Sequence, residues 1–232
     1  MKKHFKKIIF LPVLAVIVSF SACSDKNDSR SMTLDNGNIT VSPVSCVSGI
    51  FTEKGGNDEV NNVCAVTVKN NSGKMLEYGK ITMNVNSEEY AEFIISALPA
   101  GESALVMESL ARPYSDKDGF TLRQDKSMFS YCEADTNPKN VSVSTEGNTI
   151  TVKNNTDEPL TALVTYKYFK NGVYYGGIAF RGEFADIPRG ESLSKTSERF
   201  NESCRIVNII AEKTNCRKNG NGGDNNAQEK TD

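Results

Sequence analysis

The chain has 232 residues, 38% of them apolar and 24% charged, with 17 Gly and 7 Pro, which excludes collagen-like, wholly disordered and polytopic membrane proteins. Its formal net charge of -2 becomes -6 (23 basic against 29 acidic side chains) once the first 22 residues, with four Lys and no acid, are set aside, and this argues against a nucleic-acid partner. The single His is His4 and there is no Trp, so beyond the leading segment no Ser-His-Asp triad, Cys-His dyad or His-ligated metal centre can be built, and neither metal nor cofactor is expected.

At the N-terminus, Lys2, Lys3, Lys6 and Lys7 precede an apolar run from Ile8 to Val18, and Ser19-Phe20-Ser21-Ala22 then leads to Cys23. As a helix, Ile8 to Ala22 would span about 22 Å, short of the roughly 30 Å hydrocarbon core, so a signal peptide over 1–22 is predicted rather than a stable span. The cysteine directly after Ser-Ala resembles the lipobox of bacterial lipoproteins, with Phe20 in place of the usual aliphatic residue. That resemblance implies cleavage before Cys23 and a diacylglyceryl group on its side chain, with palmitate as the label that would report it. The chain would then be anchored, extracytoplasmically, to the bacterial cell membrane or outer membrane. Two acyl chains anchor stably where one binds reversibly.

Residues 23–34 include Ser24-Asp25-Lys26-Asn27-Asp28-Ser29-Arg30-Ser31 and read as a flexible tether. At the far end, residues 217–232 contain no apolar side chain except Ala227 and are expected to be disordered, having nothing to offset their ordering entropy. Between these ends lies an internal repeat. Ala65-Val66-Thr67-Val68-Lys69-Asn70-Asn71-Ser72 matches Thr149-Ile150-Thr151-Val152-Lys153-Asn154-Asn155-Thr156 at an offset of 84, and Leu98-Pro99-Ala100-Gly101-Glu102-Ser103 matches Ile187-Pro188-Arg189-Gly190-Glu191-Ser192 at an offset of 89. The same motifs in the same order give two units, 35–135 and 139–216, joined by a linker around Asp135-Thr136-Asn137-Pro138-Lys139.

Each motif has a mechanical reading. Val66-Thr67-Val68 alternates as a half-buried strand, and Lys-Asn-Asn-Ser/Thr ends it, because Asn tolerates left-handed backbone and bonds its own turn. In the second motif Pro blocks ladder pairing and Gly supplies the turn. In the second unit Leu160, Ala162, Val164, Tyr166 and Tyr168 alternate along a long strand, Asn171-Gly172 is a hairpin turn, and Val173 to Phe184 returns. In the first unit Ile81, Met83 and Val85 run into Asn86-Ser87, then Tyr90, Phe93 and Ile95; their faces match only after a one-residue slip, which predicts a bulge or deletion. Met128 to Ala134 and Ile206 to Ala211 close the units. No amphipathic helix of ten residues is evident, and the fold class is all-β, two tandem antiparallel sandwich domains.

Val-Lys-Asn-Asn-Ser/Thr and Pro-x-Gly-Glu-Ser resemble the tandem immunoglobulin-like modules of Gram-positive extracellular lipoproteins, including the FxLYD type, although the FxLYD signature itself is absent. The resemblance implies immunoglobulin-like β-sandwiches in a noncatalytic surface protein.

Beyond Cys23 there are five cysteines, an odd number that leaves one unpaired in a monomer. Cys46 and Cys64 lie on consecutive strands and are placed to pair. Cys64 with Cys132 would instead imitate an immunoglobulin inter-sheet bridge, but the packing Trp is missing and Tyr131 directly precedes Cys132. Cys204 and Cys216 flank a strand, too far apart to bridge unless the chain folds back. The remaining alternative is small buried thiols.

Weaker patterns fall to structural readings. Asp116-Lys117-Asp118-Gly119 is read as a loop tip rather than a calcium site, because Tyr114 takes the first ligand position. Gly176-Gly177 is read as a bulge, since no helix follows to make a phosphate loop. Tyr166, Tyr168, Tyr174 and Tyr175 gather aromatic rings on one hairpin, and Tyr174 and Tyr175 are taken as a candidate ligand surface. The expected function is therefore a noncatalytic, membrane-anchored envelope module for a protein or glycan partner. The alternative is a hydrolase accessory or an enzyme using carboxylates alone, from Glu88, Glu89 and Glu92 or from Glu183 and Asp186, which needs two opposed carboxyls about 5 to 10 Å apart.

Overall fold

Alternating apolar side chains dominate the chain between its ends, and a strand with one apolar face must bury that face against another sheet. The computed structural model describes residues 31–55, 58–87 and 89–214, and among these the structure is almost entirely β, with three short 3-10 turns as its only helical elements. The predicted signal peptide, Cys23, Glu88, Cys216 and the tail over 217–232 lie outside the described residues.

The first half carries β1 (Met32–Leu34), β2 (Ile39–Val41), β3 (Ser45–Ile50), β4 (Glu59–Asn70), β5 (Met75–Val85), β6 (Glu89–Leu98), β7 (Ser103–Met107), β8 (Phe120–Leu122) and β9 (Met128–Cys132). The second half carries β10 (Val141–Glu146), β11 (Thr149–Asn154), β12 (Leu160–Lys170), β13 (Val173–Tyr175), β14 (Phe180–Ile187), β15 (Ser192–Thr196) and β16 (Cys204–Lys213). β1 begins inside the stretch expected to be a tether, and it is ordered there because Leu34 is buried in the first core.

Six strands of each half pair in corresponding ways, while β1, β3 and β8 of the first half and β13 of the second have no counterpart among the described residues. β2 and β7 flank β4 antiparallel, with Ile39 opposite Asn70 and Ser103 opposite Lys69; β10 and β15 flank β11, with Val141 opposite Asn154 and Ser192 opposite Lys153. Across each core, β5 lies between β6 and β9, and β12 lies between β14 and β16. The first core includes Val66, Val68, Ile81, Met83 and Phe93, and the second includes Val152, Leu160, Val164 and Phe184. Burying a side chain of this size is worth roughly 1.5–3 kcal/mol, which fixes which face of each strand turns inward.

Two local readings are corrected. The register of β5 on β6 runs without interruption from Tyr78 opposite Ser96 to Val85 opposite Glu89. No bulge is needed there, because Tyr90, opposite Asn84, points outward while Ala91 and Phe93 point in. At the Lys-Asn-Asn-Ser/Thr turns none of Asn70, Asn71, Asn154 or Asn155 has a positive φ. The turns are made by the Asn70 and Asn154 carboxamides, which are fully buried and donate to the carbonyls of Lys74, Leu98 and Pro99 and of Glu158, Ile187 and Pro188.

The halves are joined more tightly than beads on a linker. β13, the short return strand after Asn171-Gly172, pairs with β12 on one side and parallel with β7 of the first half on the other, with Tyr174 opposite Ala104. One nine-stranded sheet therefore crosses the boundary. The predicted linker is also pinned: Asn208 accepts from the Asp135 N–H at 3.0 Å, and Ile209 donates to the Asp135 carbonyl at 2.7 Å. No helix among the described residues is long and apolar enough to cross a membrane.

Candidate functional site

The turn between β3 and β4 reads Phe51-Thr52-Glu53-Lys54-Gly55, a 3-10 turn closed by Gly55 at φ 79°. It carries Glu53 inward toward the second half. One carboxylate oxygen of Glu53 accepts from the backbone N–H of Met107 at 3.0 Å and of Gly177 at 2.8 Å, and the other accepts from the Thr52 hydroxyl at 3.2 Å. Burial raises the Glu53 pKa, and the hydrogen bonds from Gly177 and Met107 oppose that rise.

Gly177 belongs to the segment between β13 and β14, which threads into the first half. Gly176 donates to the Leu105 carbonyl at 2.8 Å, Ser96 donates to the Gly177 carbonyl at 2.9 Å, and Ala179 donates to the Ser96 hydroxyl at 2.8 Å. The fit excludes any side chain: a Cβ on Gly177 would meet the Ile94 carbonyl oxygen at 2.0 Å, and one on Gly176 would meet the Thr52 hydroxyl at 1.9 Å. Gly176-Gly177 is thus the point where one half is inserted into the other, not the isolated bulge read from sequence.

Lys167 completes the junction. Its ammonium donates to the carbonyls of Ser96 at 2.8 Å and Gly177 at 2.6 Å. Burial lowers its pKa to about 7, with Glu53 pulling the other way. Gly177 is therefore held at its N–H by an acid of the first half and at its C=O by a base of the second. Below this junction a cavity of about 110 Å³ opens between Met75, Ala97 and Cys132 on one side and Leu163, Thr165 and Arg181 on the other. The arrangement fastens the two halves together.

The candidate ligand surface of Tyr174 and Tyr175 is corrected by this geometry. Tyr174 is 4% exposed, with its ring edge-on to Phe169 at 5.2 Å, because β13 is not a free hairpin tip but an interior strand of the shared sheet. Tyr175 is half-buried, stacked on Phe51 at 4.6 Å. Tyr166 packs inside the second core on Phe200 and Phe180.

Cys46 and Cys64 face each other directly across β3 and β4, both as free thiols. Cys132 lines the junction cavity on β9 and Cys204 opens β16, so among the described cysteines only Cys46 and Cys64 are brought together, and the inter-sheet pairing of Cys64 with Cys132 is not formed. The Asp116-to-Gly119 stretch is a loop tip: Asp118 accepts from Asn86 at 2.7 Å, and Asn86 accepts from the Gly119 N–H at 2.8 Å. No group of three His, Cys, Asp or Glu among the described residues could hold a metal ion.

A feature that sequence reasoning passed over lies on the outer face of β5 and β6. Tyr90 is 58% exposed and lines, with Lys80, Thr82, Glu92 and Lys126, a hollow of about 210 Å³. The Lys80 ammonium pairs with the Glu92 carboxylate at 3.1 Å, and the Arg123 guanidinium reaches Asn84 at 3.2 Å. The signal was present: Tyr90 is out of step with the inward series of Ala91, Phe93 and Ile95, so an aromatic ring had to face outward. Each described acid considered for hydrolysis has its own surroundings. Glu89 pairs with Arg112, Glu92 with Lys80, and Glu183 and Asp186 are exposed on β14.

Comparison with known protein families and with curated proteins finds no match to this chain.

Proposed function

We propose that the protein is a noncatalytic, lipid-anchored module of the bacterial cell envelope, built from a duplicated immunoglobulin-like unit, that presents the outer face of β5 and β6 to a glycan. The observation that carries this reading is the exposed ring of Tyr90 beside the Lys80–Glu92 pair. An aromatic face takes the C–H side of a sugar, and fixed polar groups take its hydroxyls. Those groups stand on a sheet whose other face is packed into the first core, so they are held in place before a ligand arrives. The matching pairings of the two halves support the duplication, and the charged N-terminus, apolar run and Cys23 support the anchor.

The test of binding is retention of the detergent-solubilised full chain on envelope polysaccharide, wild type against Tyr90→Ala and Lys80→Ala. Loss of retention in both variants is expected; equal retention of all three proteins would overturn the assignment of this face. The anchor is tested separately, by palmitate labelling that Cys23→Ala should abolish and that, if unchanged, would remove the lipoprotein reading.

A further inference from the structure

We infer that Cys46 and Cys64 are an oxidisable pair whose disulfide cinches the turn that clamps the two halves together. Both N–H and C=O of Cys64 bond away from β3, to the Arg112 carbonyl and the Glu108 N–H, each at 2.8 Å. Cys46 and Cys64 are therefore a non-hydrogen-bonded cross-strand pair, the type in which Cα atoms approach to about 4.5 Å and side chains stand closest. That separation lies within the range a disulfide spans. The thiols now point to separate acceptors, Cys46 to the Asn62 side chain at 3.0 Å and Cys64 to the Pro113 carbonyl at 3.6 Å. Two side-chain rotations turn them toward each other, with no change of register.

The roles of the two thiols differ. Cys46 is exposed on β3 and meets the oxidant; Cys64 is buried, and burial pushes its thiol up to about 11. The Cys46 thiolate attacks a disulfide of the oxidant, forming a mixed disulfide and releasing one thiol. The Cys64 thiolate then attacks the Cys46 sulfur, the second oxidant thiol leaves, and the protein has given up two electrons and two protons to the oxidant disulfide. The second step depends on the small thiolate fraction of Cys64, so it quickens as pH rises toward that value.

The bond encloses residues 47–63, and within that loop lie Phe51, which stacks on Tyr175, and Glu53, which holds Gly177. Closing the loop removes freedom from any state in which the clamp is open. In the cell the oxidant would be an extracytoplasmic protein disulfide, which rests on the envelope location proposed above; the chemistry of the pair does not.

The test treats the purified full-length protein with oxidised glutathione under native conditions and maps its peptides. The expected product is a Cys46–Cys64 linked peptide lighter by two hydrogens, absent in Cys46→Ser, with amide exchange at Gly176 and Gly177 slowed roughly tenfold or more relative to the reduced protein. Recovery of Cys46 bound only to glutathione, or linked to any other cysteine, would overturn the pairing. A correct link with unchanged exchange at Gly176 and Gly177 would overturn the clamp. Loss of palmitate labelling from the wild type would touch only the source of oxidant.

Discussion

The side chains of Asn70 and Asn154 make the same five hydrogen bonds, 84 positions apart. Each amide group donates to three carbonyls, at 2.8, 2.9 and 3.2 Å for Asn70 and 2.8, 3.0 and 3.2 Å for Asn154, and each oxygen accepts from the N–H and hydroxyl of the residue two positions on, Ser72 or Thr156. The three carbonyls come from two separate chain segments, so one carboxamide fastens the end of β4 or β11 to the Pro-x-Gly-Glu turn. Replacing Asn154 by Ala leaves buried acceptors without a donor, and the expected cost is about 3 kcal/mol. Asn154→Asp should cost more at neutral pH, because a carboxylate oxygen would face three carbonyl oxygens. Urea unfolding of both variants checks the order; an Asp variant as stable as wild type would show that these bonds contribute little.

Gly177 predicts how the halves come apart. An added methyl group would meet backbone, the Ile94 carbonyl oxygen, and not the flexible end of a side chain. Gly177→Ala should therefore expel the β13–β14 connection from the first half while leaving both cores formed. The comparison is Gly172→Ala, at the hairpin tip with φ 83° and open space around it, where only backbone strain of about 1 kcal/mol is expected. Hydrogen exchange reads the difference. Faster exchange at Gly176 and Ser96 in Gly177→Ala, with the amides of β11 and β15 unchanged, is the expected pattern.

The strands were legible because each faces a core on one side, which prints a two-residue period on the sequence. Leu160, Ala162, Val164 and Tyr166 announced β12, and the repeated Asn-Asn and Pro-x-Gly-Glu phrases announced where strands end. The junction was not legible from the same rule. The opposite face of β12 holds Leu163 and Phe169 as well as Thr165 and Lys167, more apolar than a solvent face needs, and that surplus was the one trace of the first half packed against it. Glu53 gave no trace at all. A carboxylate in a short turn is ordinary, and its partner Gly177 lies 124 positions away. Tyr174 and Tyr175 were misplaced for the same reason: a hairpin tip is exposed unless another strand covers it, and β7 is not adjacent in sequence. The hollow at Tyr90 was legible in phase but was absorbed into a supposed slip of register.

Lys167 makes the stability of the protein depend on pH. Its folded pKa lies at about 7 against an ordinary 10.5, so between those values the unfolded chain holds a proton that the folded chain has lost. Stability must then rise with pH across this window, by at most about 1.4 kcal/mol per pH unit from this one group, and the burden is greatest below pH 7, where the buried ammonium stays charged. Glu53 acts with the opposite sign: its raised pKa lowers stability as pH climbs from the ordinary 4.5 through the folded value. Lys167→Met removes the titrating group while keeping much of its length. Urea midpoints at pH 7, 8 and 9 should climb in the wild type and fail to climb in Lys167→Met, and Glu53→Gln should keep the climb. Parallel slopes in wild type and Lys167→Met would place the titration elsewhere and show that the ammonium at the Gly177 carbonyl remains charged throughout.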